Sequence, residues 1–91
     1  MNFKEMQKIL DETRILLEKK NEMYGDGNID QMGEEGIMFR LNDKIIRLKN
    51  LLEKNINPPE ETIEDTWKDI IGYGIIGLMV RRKKWKWKKY I

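Results

Sequence analysis

Three stretches of this chain repeat large apolar residues at steps of three and four, a spacing that commits most of its length to amphipathic helices. After Phe3, the residues Met6, Leu10, Thr13 and Leu17 follow one another down a single face, which Ile9, Leu16 and Met23 widen. Asn2 stands where an N-cap belongs, with Glu5 three residues on, and Gly25 after Tyr24 supplies the backbone freedom of a C-cap. The first helix is therefore expected over residues 3–24. In the second stretch Ile37, Leu41, Ile45, Leu48 and Leu52 step by four, four, three and four, which predicts a helix over 35–55. Between the two lies GDGNIDQMGEEG, where Gly25, Gly27 and Gly33 and the acids and amides around them favour a loop. The third helix is expected over 58–82, with Asn57 as cap, Pro58 at the first helical position, and Glu60 and Glu61 facing the positive end of the dipole.

The fold class that follows is all-α: a three-helix antiparallel unit in residues 1–80, followed by a basic, aromatic tail at 81–91. A chain of 91 residues gives such a unit a thin core. Gly74 and Gly77 also weaken the third helix unless another helix approaches closely there. Association into a larger helical bundle, as a homodimer or tetramer, answers both difficulties.

The chain has no His, no Cys and no Ser, which removes disulfides, the usual zinc sites, the Cys-His dyad and the Ser-His-Asp triad. Any metal must be a hard cation on oxygen ligands, which means Mg²⁺, Mn²⁺ or Ca²⁺ on carboxylates. The opening Met1-Asn2-Phe3-Lys4-Glu5 has no apolar signal core, so a cytoplasmic location is expected, the host cytoplasm if the chain is phage-encoded. The formal charge of +2 hides a segregation: residues 81–91 carry seven basic groups and no acid, leaving eleven basic against sixteen acidic groups in residues 1–80.

Glu61, Asp65 and Asp69 stand at i, i+4 and i+8 at the start of the third helix, where like charges on one face repel. Such a ladder needs cations. Arg40, Lys44 and Arg47, on one line of the second helix with Asp43, can supply them as ion pairs across the bundle; alternatively a Mg²⁺ ion held by the acids presents a polyphosphate, with the basic groups on its phosphates. Asp26, Asn28 and Asp30 resemble the opening of a calcium loop, but Gln31 and Ile37 occupy the positions that need glycine and a bidentate glutamate.

The run from Ile70 to Val80 is eleven residues, short of the roughly 20 that cross a bilayer, so it reads as a core helix and a membrane partner is not expected. Trp67 and the methionines at helical spacing read as packing. In the tail, Arg81, Arg82, Lys83, Lys84, Trp85, Lys86, Trp87, Lys88 and Lys89 interleave cations with aromatics, a composition suited to nucleic-acid phosphates with stacked bases, to anionic lipid headgroups or to a host protein; a solvated end is the alternative.

KNEMYG (20–25), FRLNDKIIRLKNLL (39–52) and EETIEDTWKDIIGYGIIGL (60–78) together resemble a nucleotide-modification-associated domain found in phage and bacterial genomes, a family in turn similar to the all-helical MazG-type nucleotide pyrophosphatases. The resemblance implies paired antiparallel helices in a dimer or tetramer, with a nucleotide and Mg²⁺ between acidic helices. It implies Asp65 and Asp69 as metal ligands with Asp43 as a further acid, Glu61 beside them in catalysis, Lys20, Arg40, Lys44 and Arg47 as phosphate or structural partners, and Tyr24 or Tyr73 stacked on the base or in the core. MazG enzymes carry a Glu-Glu-x-x-Glu cluster whose spacing Glu34, Glu35 and Asp43 do not reproduce, so hydrolysis of a nucleoside triphosphate and nucleotide binding without turnover both stand. A non-enzymatic phage-type interaction protein, acting through its tail or sequestering a nucleotide, is the reading from another class.

Overall fold

A computed structural model describes residues 1–84, which form three helices: α1 (Phe3–Tyr24), α2 (Gly27–Lys54) and α3 (Ile63–Arg81). The protein is all-α, with no strand among the described residues. α1 keeps the expected limits for the expected reasons. Asn2 Oδ1 accepts the Glu5 N–H at 3.0 Å, and the helix stops at Gly25, whose φ of 69° and ψ of −167° belong to a region that only glycine enters readily.

The other two helices begin elsewhere than expected. α2 starts at Gly27 rather than at 35, because the segment read as a loop is helical on both sides of one break. Gly33 makes that break, with φ 61° and ψ −174°, whereas Gly27 lies within helical backbone. α3 starts at Ile63 rather than at 58. A residue that precedes proline is pushed out of the helical region, so Pro58, followed by Pro59, is a poor first helical residue. A capping box then sets the start: Thr62 Oγ1 accepts the Asp65 N–H at 3.1 Å and Asp65 Oδ2 accepts the Thr62 N–H at 3.0 Å. Asn57 still contributes, since its Oδ1 accepts the Ile63 N–H at 2.8 Å.

α2 and α3 form an antiparallel hairpin. Arg47 meets Glu61 at one end, Ile37 lies beside Gly77 further along, and Glu34 pairs with Arg81 at the other end. The apolar interior is Ile37, Leu48 and Leu51, all on the α3-facing side of α2. Ile45 and Leu52, which the spacing placed on the same stripe, sit on its flank, about half exposed. Residues 37, 48 and 51 define the buried line, and half-buried Lys44 falls on it, which turns its stem into the interface.

α1 lies across α3. Its Glu12 and Lys20, roughly 12 Å apart along the helix axis, reach the consecutive residues Lys68 and Asp69. Two helices running side by side could not make both contacts. Leu17 packs at the crossing against Gly72, where an added Cβ would stand 3.2 Å from its Cδ2. Thr13 and Thr66 are completely buried, and each hydroxyl donates to the carbonyl four residues earlier, Ile9 and Thr62. Among the described residues, no helix is long and apolar enough to cross a membrane.

Candidate functional site

The crossing of the three helices gathers charge at one place. Lys44 of α2 extends along the hairpin seam to Glu61 Oε1 at 2.8 Å and Asp69 Oδ2 at 3.1 Å. Lys20, near the C-terminal end of α1, donates to the other oxygen of Asp69 at 2.9 Å. Arg47, one turn beyond Lys44, donates through one terminal nitrogen to the Glu61 backbone carbonyl at 2.7 Å and lies 3.7 Å from Oε2 of the same residue. Three cations thus converge on two carboxylates, an excess of one positive charge.

Exposure is uneven across the cluster. The Asp69 side chain is 12% exposed, that of Lys20 45% and that of Arg47 32%, so the acid is sheltered while solvent reaches the cations. Arg47 Nε is shut away without an acceptor, leaving the guanidinium incompletely satisfied by the protein. Burial lowers the Lys44 pKa, but hydrogen bonds to Glu61 and Asp69 and the charges of those acids outweigh it, leaving the ammonium above the ordinary lysine value. The hydrogen bond from Lys44, then its charge, holds Glu61 below the usual carboxylate range.

The remaining residues singled out in the sequence are placed as follows. Asp65 belongs to the α3 capping box, and the Thr62 hydrogen bonds, the backbone one first, lower its pKa. Arg40 and Asp43 are exposed and form no ion pair among the described residues; Arg40 lies one turn before Lys44 on the same line of α2. Tyr73 is half-buried one turn after Asp69, and Tyr24, 69% exposed, ends α1. Arg81, Arg82, Lys83 and Lys84 are exposed at the end of α3, whereas Trp85, Lys86, Trp87, Lys88 and Lys89 lie outside the described residues.

The donor chemistry suits magnesium, since Glu61, Asp65 and Asp69 offer hard oxygens. Their present geometry is nevertheless a closed set of ion pairs and a helix cap. Both Asp69 oxygens accept from lysines, and among the described residues no three acids are grouped to hold a metal ion. A cation could enter only in exchange for Lys20 or Lys44.

The spacing of Glu61, Asp69, Lys44 and Arg47 pointed to this meeting. Lys20 appeared only through the resemblance, because its partner is 49 residues away. The outlying Lys68–Glu12 pair, at 3.2 Å, had no signal in the sequence; Thr62 did, as the Thr-x-x-Asp motif of a capping box.

The sequence model of the family described as nucleotide modification associated domain 1 matches residues 20–80, a span that holds every member of the cluster. No curated protein and no solved structure matches the chain.

Proposed function

The chain belongs to the nucleotide modification associated domain 1 family, and on that premise we propose that it binds a nucleotide by its phosphates at Lys20, Lys44 and Arg47. The observation that carries this reading is the convergence of those three cations, two of them partly open to solvent, with an Arg47 Nε that no protein acceptor satisfies. A polyphosphate bears more charge than a carboxylate and competes for the same donors. The planar Arg47 fork suits two phosphate oxygens, and the lysines act as point charges. As phosphates draw Lys20 and Lys44 away, Asp69 is released.

Asp69 and Asp65, with Glu61 beside them, are then the donors for the Mg²⁺ ion that accompanies a nucleoside triphosphate, with Asp43 as an outlying acid and Arg40 as an outlying partner for the phosphates. Such an ion supplies charge neutralisation and polarisation of the polyphosphate, the chemistry of pyrophosphate-bond hydrolysis. Tyr73, one turn from Asp69, is the aromatic nearest to hand for the base, and Tyr24 the more distant one.

Isothermal titration with a panel of nucleoside triphosphates, with and without Mg²⁺, followed by chromatography of the products, tests this. Arg47→Gln and Lys44→Gln should weaken binding about ten- to hundredfold while the helical circular dichroism is retained. No heat from any nucleotide at millimolar concentration, or equal binding by the variants, sinks the proposal. Heat without product leaves a binding protein and removes the hydrolase.

A second reading is favoured by the four consecutive exposed cations Arg81, Arg82, Lys83 and Lys84, namely a non-enzymatic protein that engages nucleic acid or a host protein through its C-terminal end. Replacing Arg82, Lys83 and Lys84 with Gln should then abolish partner binding and leave the nucleotide titration unchanged.

A further inference from the structure

Half of one helix seam is covered within the chain and the other half is bare. On α1 the residues Phe3, Met6, Leu10, Thr13, Leu17 and Lys20 form one line at alternating steps of three and four. Its C-terminal half is in use: Thr13 is fully buried, Leu17 rests on Gly72 and Lys20 holds Asp69. Its N-terminal half repeats the same spacing, yet Phe3 is 66% exposed and Met6 and Leu10 are each 43% exposed. Met6, Ile9 and Leu10 meet Ile71 of α3 at an open apolar groove.

Ile71 belongs to a second bare line. Trp67, Ile71, Gly74 and Leu78 step by four, three and four along α3, and Trp67 and Leu78 are each 51% exposed. Two of the three α3 glycines have a use within the chain, since Gly72 admits Leu17 and Gly77 admits Ile37. Gly74 weakens the helix and nothing lies within 4 Å of where its Cβ would be. A helix hydrophobic on all sides is expected to be covered on all sides, and α3 is covered on only two.

We propose that a second copy of this chain closes this face, the N-terminal half of each α1 packing on the Trp67–Ile71–Gly74–Leu78 line of the other. The occupant is argued from self-complementarity. The chain presents, side by side at Ile71, a half-exposed apolar helix segment and a half-exposed apolar helix line, and a two-fold axis there sets each against the other. The seam within the chain continues directly into the proposed one. The exposed apolar area of these residues is roughly 600 Å² per copy, so the pair buries about 1,200 Å², the lower edge of stable interfaces. Gly74 then has a use, as the point of close approach.

Sedimentation equilibrium of the full chain tests this, with an expected mass of twice the 11.0 kDa of one chain. Leu78→Glu and Gly74→Leu should each give a monomer with unchanged helical circular dichroism, because both positions are open to solvent within one chain. Ile46→Glu, on the exposed outer side of α2, should remain a dimer. Gly74→Leu has a second readout: without a partner helix, better helix propensity raises its Tm above wild type, and with one the lost contact lowers it. A wild-type monomer at every concentration, or a dimer that survives both α3 substitutions, overturns the proposal. If Leu78→Glu unfolds, Gly74→Leu decides.

Discussion

Thr62 and Asp65 show how one local pair can outweigh a stronger-looking signal. Asn57-Pro58 resembles a helix start, yet the reciprocal Thr62–Asp65 bonds satisfy two otherwise unpaired N–H groups and the helix begins there. Thr62→Ala should therefore cost about 1 kcal/mol, visible as a fall in Tm of roughly 4–8 °C. Asp65→Asn keeps an acceptor for the Thr62 N–H and removes only the charge, so it should lower Tm by less than Thr62→Ala, which separates the cap from the role of the charge. The ion pairs have a pH signature of definite sign. Glu61 and Asp65 have folded pKa values below their unfolded ones, so their contribution is present above the ordinary carboxylate range and is lost as pH falls through the depressed values. Lys44 is raised, as is Lys68 through the hydrogen bond it donates to Glu12, so their contribution holds below the ordinary lysine value and is lost as pH rises through the raised ones. Denaturant melts across pH should show a neutral plateau falling at both ends. Lys44→Met should flatten the acid limb, because Lys44 is the main cause of the Glu61 shift; an unchanged acid limb would assign it to other carboxylates.

At the level of elements, the sequence was most legible where a terminus is set by one residue's own backbone and least where two signals competed. Gly25 ended α1 as expected. Gly27 and Gly33 looked alike on the page, yet one lies in helical backbone and the other makes the break, because composition does not reveal which glycine takes the positive φ. Substitution tells them apart. Gly33→Ala forces a Cβ into a region nearly closed to it and should cost about 1–3 kcal/mol. Gly27→Ala, with nothing within 4 Å of its Cβ and ordinary helical dihedrals, should be neutral or stabilise by up to about 1 kcal/mol. Thermal melts of the pair check this, and equal effects at the two positions would show that α2 is continuous in solution. The flank positions of Ile45 and Leu52 have a similar origin: a broad apolar stripe fits several rotations of the helix, and the choice fell to Lys44, whose ammonium must reach Asp69 and Glu61.

For the whole molecule, the three helices were legible because each carries its period within itself, while the way α1 crosses α3 was not. That crossing rests on contacts 49 and 56 residues apart, Lys20–Asp69 and Lys68–Glu12, and on the fit of Leu17 to Gly72. It is a small attachment for 22 residues of helix. The α2–α3 hairpin, by contrast, holds the three buried aliphatic side chains and is closed by a short connection. Unfolding should therefore be graded: α1 detaches at a lower free energy than the hairpin opens. Native-state hydrogen exchange of the dilute protein should find α1 amides exchanging well ahead of those around Leu48 and Leu51. Leu17→Ala should speed α1 while leaving the hairpin amides nearly unchanged. The same measurement at rising protein concentration bears on the bare seam, since a second copy seated on the N-terminal half of α1 slows exchange there by mass action. Protection in α1 equal to that of the hairpin, and independent of concentration, would mean that α1 is held within one chain more firmly than its few contacts allow.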